Sequence, residues 1–567
     1  MSLIHIQDLT FTYPGASTPI LRNFSLDVEA GDFLAVVGNN GCGKSTLCKT
    51  LNGLIPHFIA GDFSGTVLVD GENTLDMDVG TLARRVGYVY QDFENQIVRP
   101  TVLDDASYAC LNYGMEDYLD RGKKALELSG LSGREKDYIW QLSGGQTHLL
   151  ALAGALALGP DVLILDEPIA QLDPAHADRI YQILRDLNQK QGKTIIVIEH
   201  HTEYIADYCR HVLLMKDGRA VWKLPVREAL GRVEELEESS IFPPQVTIAA
   251  SRLQKQGRYL PCAPLPVTVS EGTRAFQKLS WKTQPAPEKA KAEPPRPVAS
   301  FFNVSASYRS VKGEPHKVFE DLNLTLRSGE NIALVGTNGA GKSTLMKLLT
   351  GLIRPGSGNI SLGGRLISEA SPEEISQTVS LVYQNPEDMF IKDSIKNDIA
   401  YAMQARKIPD WEEKTRLLLK RFRLTDLANR DGRLLSGGQM RRASLAIGVA
   451  LNPKILLLDE PTANLDIATR KEIMYTLKEM KDITETVMIA THDMQLVCEW
   501  ADRILVLHQG RVAADGTRDE IFADRRLLDL VGIRPPEIFA LGRALDERAL
   551  CYTVDDFLNA FKETRDE

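Results

Sequence analysis

The chain is short of several things at once, and each shortage closes a class of function. No apolar run is long enough to cross a bilayer. The longest stretch without Asp, Glu, Lys or Arg, Gln141 to Pro160, opens on a polar turn, and its apolar part is Leu149 to Leu158, far short of the ~20 residues a membrane helix needs. Positive charge is outnumbered, 66 Lys and Arg against 76 Asp and Glu: the net charge is −10, which leaves no basic footprint for nucleic acid and is the wrong sign for anionic lipid. Cysteine is sparse and unpatterned, seven residues without a CxxC pair, so reduced thiols in a cytosol are expected rather than a disulfide framework. The opening Met1-Ser2-Leu3-Ile4-His5-Ile6 reads as a strand, so no secretory leader is expected.

What is present is a duplication. At 567 residues, a prior of about 150 per domain suggests roughly four folded units. The stretch Leu435 to Asp466 reads LSGGQMRRASLAIGVALNPKILLLDEPTANLD. Ser436, Gly437 and Gly438 open an amphipathic segment, placing backbone N–H groups at a helix N-terminus, where an anion is favoured. Ile455 to Leu458 then reads as a buried strand ending in Asp459-Glu460, two carboxylates delivered to the carboxyl edge of a sheet. Leu142 to Asp173, LSGGQTHLLALAGALALGPDVLILDEPIAQLD, repeats it, with Asp166 and Ser143 each 293 positions before Asp459 and Ser436. That period is a duplicated domain, since solenoid units run to about 20–50 residues.

Upstream, Asp32 to Val37 reads as a strand running into Gly38-Asn39-Asn40-Gly41-Cys42-Gly43-Lys44-Ser45-Thr46, and the second half carries Gly336-Thr337-Asn338-Gly339-Ala340-Gly341-Lys342-Ser343-Thr344. Both fit the phosphate-binding loop, in which glycines let N–H groups close around phosphates, the lysine adds a point charge and the Ser hydroxyl can hold Mg²⁺. Cys42 reads as a small residue tolerated there, or as a thiol activated by the helix N-terminus. Gln91 and Gln384 each follow a strand. His200 and His492 each follow the strand after the paired carboxylates, with downstream Gly218 and Gly510 setting the alignment at His200 rather than His201. A lone Gln or His at such a place is ordinarily structural. Tyr13 and Tyr308 end matched strands and read either as strand-end tyrosines or as stacking platforms.

Taken together these motifs resemble the ABC-type ATPases, and the resemblance covers both halves. It implies an α/β fold of two tandem P-loop ABC ATPase domains, each with a mixed sheet core, a helical signature subdomain and a small C-terminal appendage. It implies ATP and Mg²⁺ as ligands, and two ATPs sandwiched between the fused domains. Tyr13, Gly38, Asn39, Gly41, Gly43, Lys44, Ser45, Thr46 and Gln91 would bind one ATP, closed by Ser436, Gly437, Gly438 and Gln439. Tyr308, Gly336, Asn338, Gly339, Gly341, Lys342, Ser343, Thr344 and Gln384 would bind the other, closed by Ser143, Gly144, Gly145 and Gln146. Ser45, Gln91 and Asp166, and Ser343, Gln384 and Asp459, would serve Mg²⁺; Glu167 and Glu460 would polarise water, with His200 and His492 as switch histidines.

After the glutamines, Asp92-Phe93-Glu94-Asn95-Gln96 and above all Asn385-Pro386-Glu387-Asp388-Met389 resemble the energy-coupling-factor (ECF) branch of ABC importers. This implies an ATPase powering uptake of a vitamin, a vitamin precursor or a transition-metal ion. It would be peripheral on the cytoplasmic face of the cell membrane, and bound to an integral membrane coupling subunit and a substrate-binding membrane subunit. It would have no nucleic-acid partner and no direct membrane insertion. The tandem ATPase of a sugar importer and a soluble tandem ABC protein acting on the ribosome are the alternatives. Domain boundaries are read at 1–223 and 298–522 for the ATPases, 224–283 and 523–567 for helical appendages expected to pack on each other, and 284–297 for a Pro-rich tether.

Two expectations concern differences and surfaces. Met440-Arg441-Arg442 continues the second signature but Thr147-His148-Leu149 the first, so the two sites are expected to be unequal. The acidic and apolar segments from Glu94 to Asp104-Asp105, and from Glu387 to Asp393 and Asp398, are expected to be exposed docking surfaces for an amphipathic helix.

Overall fold

The computed structural model describes residues 2–170, 172–257, 264–281, 295–309, 315–463, 465, 467–480 and 483–563. The chain divides into two compact units, Met1–Lys282 with Glu537–Glu567, and Thr283–Pro536.

In the first unit a six-stranded sheet runs Arg219–Pro225, His211–Lys216, Phe33–Val37, Thr194–Ile198, Val162–Asp166, Val86–Val89. All neighbours are parallel except the hairpin at the Arg219–Pro225 edge. Strands covered on both faces need apolar residues at every position, which is why Phe33–Val37, Val162–Asp166 and Thr194–Ile198 are buried throughout. Leu34, Val36, Ile164 and Ile196 share a core with Ile4, Phe11 and Phe24 of a four-stranded antiparallel sheet. Ala35, Val37, Leu163 and Leu165 instead pack beside helix residues Leu150, Ile180 and Leu184. Truncating one such leucine to Ala would cost about 2–5 kcal/mol.

The second unit repeats the plan: Val379–Val382, Ile455–Asp459, Thr486–Ala490, Asn331–Gly336, Arg503–His508, Arg511–Gly516, with a four-stranded companion sheet. Because the central strands of each sheet are parallel, their carboxyl ends share one edge. That edge collects the phosphate loop, the glutamine, the carboxylate pair and the histidine.

The appendages depart from the reading of two helical pieces at 224–283 and 523–567. Helix Arg525–Val531 belongs to the second unit, whereas everything from Glu537 joins the first. There Val246, Ala249, Leu253 and Phe276 share a core with Ile538, Leu541, Phe557 and Phe561. The two segments thus close one core between them. Their helix starts cap one another: Gln245 N donates to Glu537 Oε2 (2.8 Å) and Ile538 N to Gln245 Oε1 (3.0 Å). A ribbon not foreseen in the sequence, Leu279–Trp281 against Phe561–Glu563, completes the module. Tether residues 284–294 lie outside the described residues.

Candidate functional site

Each phosphate loop wraps its own lysine. Lys44 Nζ donates to the carbonyls of Gly38 (2.8 Å) and Asn39 (3.1 Å), and Lys342 to those of Gly336 (2.7 Å) and Thr337 (3.2 Å). Gly38 and Gly336 hold φ of 157° and 153°, and a Cβ at either would stand 2.4 or 2.3 Å from a carbonyl oxygen of the neighbouring strand, so only glycine fits. Gly43 and Gly341 stand in the left-handed region just before helices Lys44–Leu51 and Lys342–Leu349, whose first N–H groups point into the loop. Gly41 and Gly339 also turn with positive φ, at 78° and 82°. The tyrosines dock on the same helix starts, Tyr13 hydroxyl 3.1 Å from Thr46 Oγ1 and Tyr308 hydroxyl 3.3 Å from Thr344 Oγ1.

Opposite the loop, Ser343 donates to Asp459 Oδ2 (3.3 Å), and Ser45 bonds Asp166. Burial raises both aspartates, and the serine bond only partly offsets it. Tyr88 adds a second donor to Asp166 at 3.1 Å, where the other unit has Leu381. A hydroxyl facing a buried, under-neutralised carboxylate suits a hard divalent cation.

The glutamates that follow differ between units. Glu167 and Glu460 both adopt left-handed backbone, φ 51° and 46°, a costly conformation for a non-glycine residue that turns each carboxylate off its strand. Glu167 accepts from Gln91 Nε2 at 2.8 Å and lies 3.2 Å from His200 Nε2. Burial pushes its pKa up, but the bond and charge of His200, with Lys44, outweigh it and hold it below the usual range. Glu460 accepts instead from Thr491 Oγ1 (3.1 Å) and His492 N (3.4 Å), and its Oε1 has no hydrogen-bond partner. Burial raises it. The His492 ring lies 3.6 Å from Glu460 Oε1 but 3.1 Å from Asn338 Oδ1 and 3.2 Å from Lys342 Nζ. Asn39 Oδ1, at the loop position that Thr337 takes in the second unit, is buried without a partner.

The signature turns sit at the starts of helices Gly144–Ala157 and Gly437–Val449. Gln146 and Gln439 side chains reach back to the N–H of Ser143 (3.0 Å) and Ser436 (3.2 Å). Gly145 and Gly438 are packed so closely that a Cβ would strike His176 at 2.3 Å or Thr469 at 2.4 Å, whereas Gly144 and Gly437 face open space. Asp173 caps helix Pro174–Gln191 beside the first turn; Asn464 and Asp466, read as the matching turn, lie outside the described residues.

The residues after the signatures differ between the units as read, with Leu149 packed in the core. Arg441, 3% exposed, donates to the carbonyls of Tyr383 (3.0 Å) and Gln384 (2.7 Å), tying the signature helix to the glutamine loop. Gln384 is thus held through its main-chain carbonyl, whereas Gln91 bonds Glu167 through its side chain. Arg442 pairs with Glu472. In the first unit Leu149 is core, and His148, 2% exposed, stacks on Phe93 (4.3 Å) with neither ring nitrogen bonded. Burial lowers its pKa to about 4, leaving it neutral.

One surface expectation needs correction. Asp105 and Asp398 are not exposed acids: each is buried and accepts two backbone N–H groups, Val98 and Arg99 or Ile391 and Lys392, at 2.8–2.9 Å. Those loop amides would otherwise be orphaned. Glu94, Glu387 and Asp388 are exposed, beside Val98 and Ile391 at 58% and 61%. Sequence reasoning also passed over Glu199, Thr491 and Tyr88, whose only signal is that matched positions carry different residue types.

Known proteins resemble the chain in sequence across both halves. Residues 21–170 and 319–463 match the ABC transporter family. A Methanosarcina acetivorans protein provisionally named as an ABC transporter ATP-binding protein is 34% identical over 562 residues, covering 96% of this chain and 91% of its own. YkoD of Bacillus subtilis, provisionally named as an HMP/thiamine import ATP-binding protein, is 32% identical over 526 residues, 92% of each chain. Among solved structures, cbiO1 of Clostridium perfringens, described as part of the ABC transporter complex cbiONQ, is 30% identical, covering 43% of this chain and 97% of that one with a TM-score of 0.37. With a phosphate loop, carboxylate pair and signature turn in each of two units, the chain belongs to the ABC transporter family as its ATP-binding, ATP-hydrolysing subunit.

Proposed function

We propose that this ATPase powers an ECF-type importer of a vitamin, a vitamin precursor or a transition-metal ion, from the cytoplasmic face of the cell membrane. Its partners are an integral membrane coupling subunit and a substrate-binding membrane subunit. The observation that carries the reading is the segment after Gln384. Asn385 caps the turn Pro386–Met389 (Glu387 N to Asn385 Oδ1, 3.2 Å), leaving Glu387, Asp388 and Ile391 exposed beside the glutamine. An acidic, apolar surface at that place suits an amphipathic helix with a basic anchor. The name of YkoD, with its HMP/thiamine import, supports the substrate class.

In this reading each nucleotide is held by one unit and closed by the signature amides of the other, which is why the open faces of Gly144 and Gly437 are useful. Lys44 and Lys342 offset charge on the transferred phosphoryl, and Glu167 and Glu460 polarise the attacking water. Ser45 with Asp166, and Ser343 with Asp459, would hold Mg²⁺, which supplies positive charge at the β/γ-phosphates. Replacing Glu94 and Asp388 with Lys should strip the protein from its membrane subunits and stop uptake while soluble ATP turnover stays near wild type. Co-purification of the double variant with the membrane complex at ordinary salt would place the docking surface elsewhere.

A further inference from the structure

One deeply buried carboxylate beside the Glu167 site is one that hydrolysis does not call for. Glu199, 2% exposed, ends strand Thr194–Ile198 immediately before His200. Its Oε1 accepts from His200 N (2.7 Å) and His201 N (2.9 Å), and its Oε2 from the Tyr181 hydroxyl (2.8 Å). Tyr181 is itself fully buried, stacked against Phe33 and Tyr204. A carboxylate is costly to bury unless its lone pairs are filled, and here three donors fill them. Burial still raises its pKa.

The second unit shows what happens without it. Thr491 stands in that place, too short to span the two amides. Its hydroxyl accepts from Asp493 N (3.0 Å) and donates to Glu460, and His492 N turns to Glu460 as well. The ring of His492 then rests toward Asn338, while the ring of His200 rests on Glu167. The residue before the histidine thus decides which acceptor takes the backbone amide: a dedicated buried carboxylate, or the catalytic glutamate.

We propose that Glu199 is a positioning residue for hydrolysis at the Glu167 site: by holding the His200 and His201 amides it leaves Glu167 free of main-chain bonds and sets the His200 ring against it. This rests on His200 being the switch histidine. The role is that of an acceptor, not a charge, so glutamine can fill it with the Tyr181 hydroxyl reversing its sense.

The test uses the full chain carrying Glu460→Gln, so that turnover reports the Glu167 site. There His200→Ala should lower kcat by about tenfold or more, Glu199→Ala by roughly fivefold, and the double variant no further than His200→Ala, since both act through one group. Glu199→Gln should return to within about twofold of the background, with little change in KM, because the acceptor is restored. Glu199→Thr made together with Tyr181→Phe, which removes the hydroxyl the shorter side chain would strand, covers the case of an unstable alanine variant and should also lose kcat. Full activity in the alanine and threonine variants, multiplicative loss in the double variant, or failure of glutamine to rescue would each overturn the proposal. An inert His200→Ala would instead remove the reading on which it rests.

Discussion

His148 and Arg441 occupy the same turn of the same helix in the two units, and they join that helix to the glutamine loop by opposite means. Arg441 spends a charge on two loop carbonyls; His148 lays a neutral ring on Phe93 and bonds nothing. A similar exchange lies just ahead of the signatures, where the first unit stacks Tyr138 on Trp140 (4.5 Å) and the second pairs Asp431 with Arg433 (2.7 Å). At the chemistry itself, Glu167 meets Gln91 and His200, whereas Glu460 meets Thr491 and the His492 amide. The comparison teaches that duplication kept the groups phosphate chemistry demands and let their supports drift. The first unit rests with its histidine on the glutamate; the second rests with its histidine on the phosphate loop.

The harshest way to probe this is to remove what the units share. Lys44→Ala and Lys342→Ala should each cost about tenfold or more of ATP turnover if, as proposed, each loses charge stabilisation at a site that the other unit's signature turn closes. Loss of about half per variant, as for independent sites, would count against shared sites.

A smaller effect isolates the second unit's tie. Arg441→His strands two carbonyls that now take charge-assisted bonds and should cost about 3 kcal/mol in chemical denaturation, most of it in that unit. Stability within experimental error of wild type would show that the tie is replaceable by stacking.

The smallest effect isolates the first unit's ring. His148 has a pKa near 4 when folded against an ordinary 6.5, so the unfolded chain binds the extra proton between those values. Stability from this group is whole above about pH 6.5 and falls as pH drops toward 4, by at most about 3 kcal/mol. His148→Phe keeps the stack without the titration, so the stability gap between wild type and variant should open with falling pH across that window. A gap that stays flat from pH 7 to 4 would mean the ring is not held neutral.

Much of the site was legible because phosphate chemistry accepts few residue types and a parallel sheet delivers them to one edge. The loop glycines, Lys44 and the delivery of Asp166 and Glu167 to the sheet edge follow from that constraint, while the roles given to the two carboxylates rest on the family resemblance. What stayed hidden depends on distant backbone. Asp105 and Asp398 read as surface acids because nothing local says that two loop amides need them. Glu199 is one carboxylate among many until the fold sets His200 N and Tyr181 around it. The Leu279–Trp281 ribbon is three residues paired with three at the far end of the chain, too short for any period to show.

The inequality of the two sites is tested most directly by Glu167→Gln and Glu460→Gln made separately in the full chain, with steady-state ATP turnover measured side by side. The variant keeping the pre-engaged Glu167–His200 pair should be the more active: Glu460→Gln should retain several-fold more turnover than Glu167→Gln, as positioned general bases contribute about 10²–10⁴-fold where they operate. Equal losses, or a greater loss from Glu460→Gln, would contradict it.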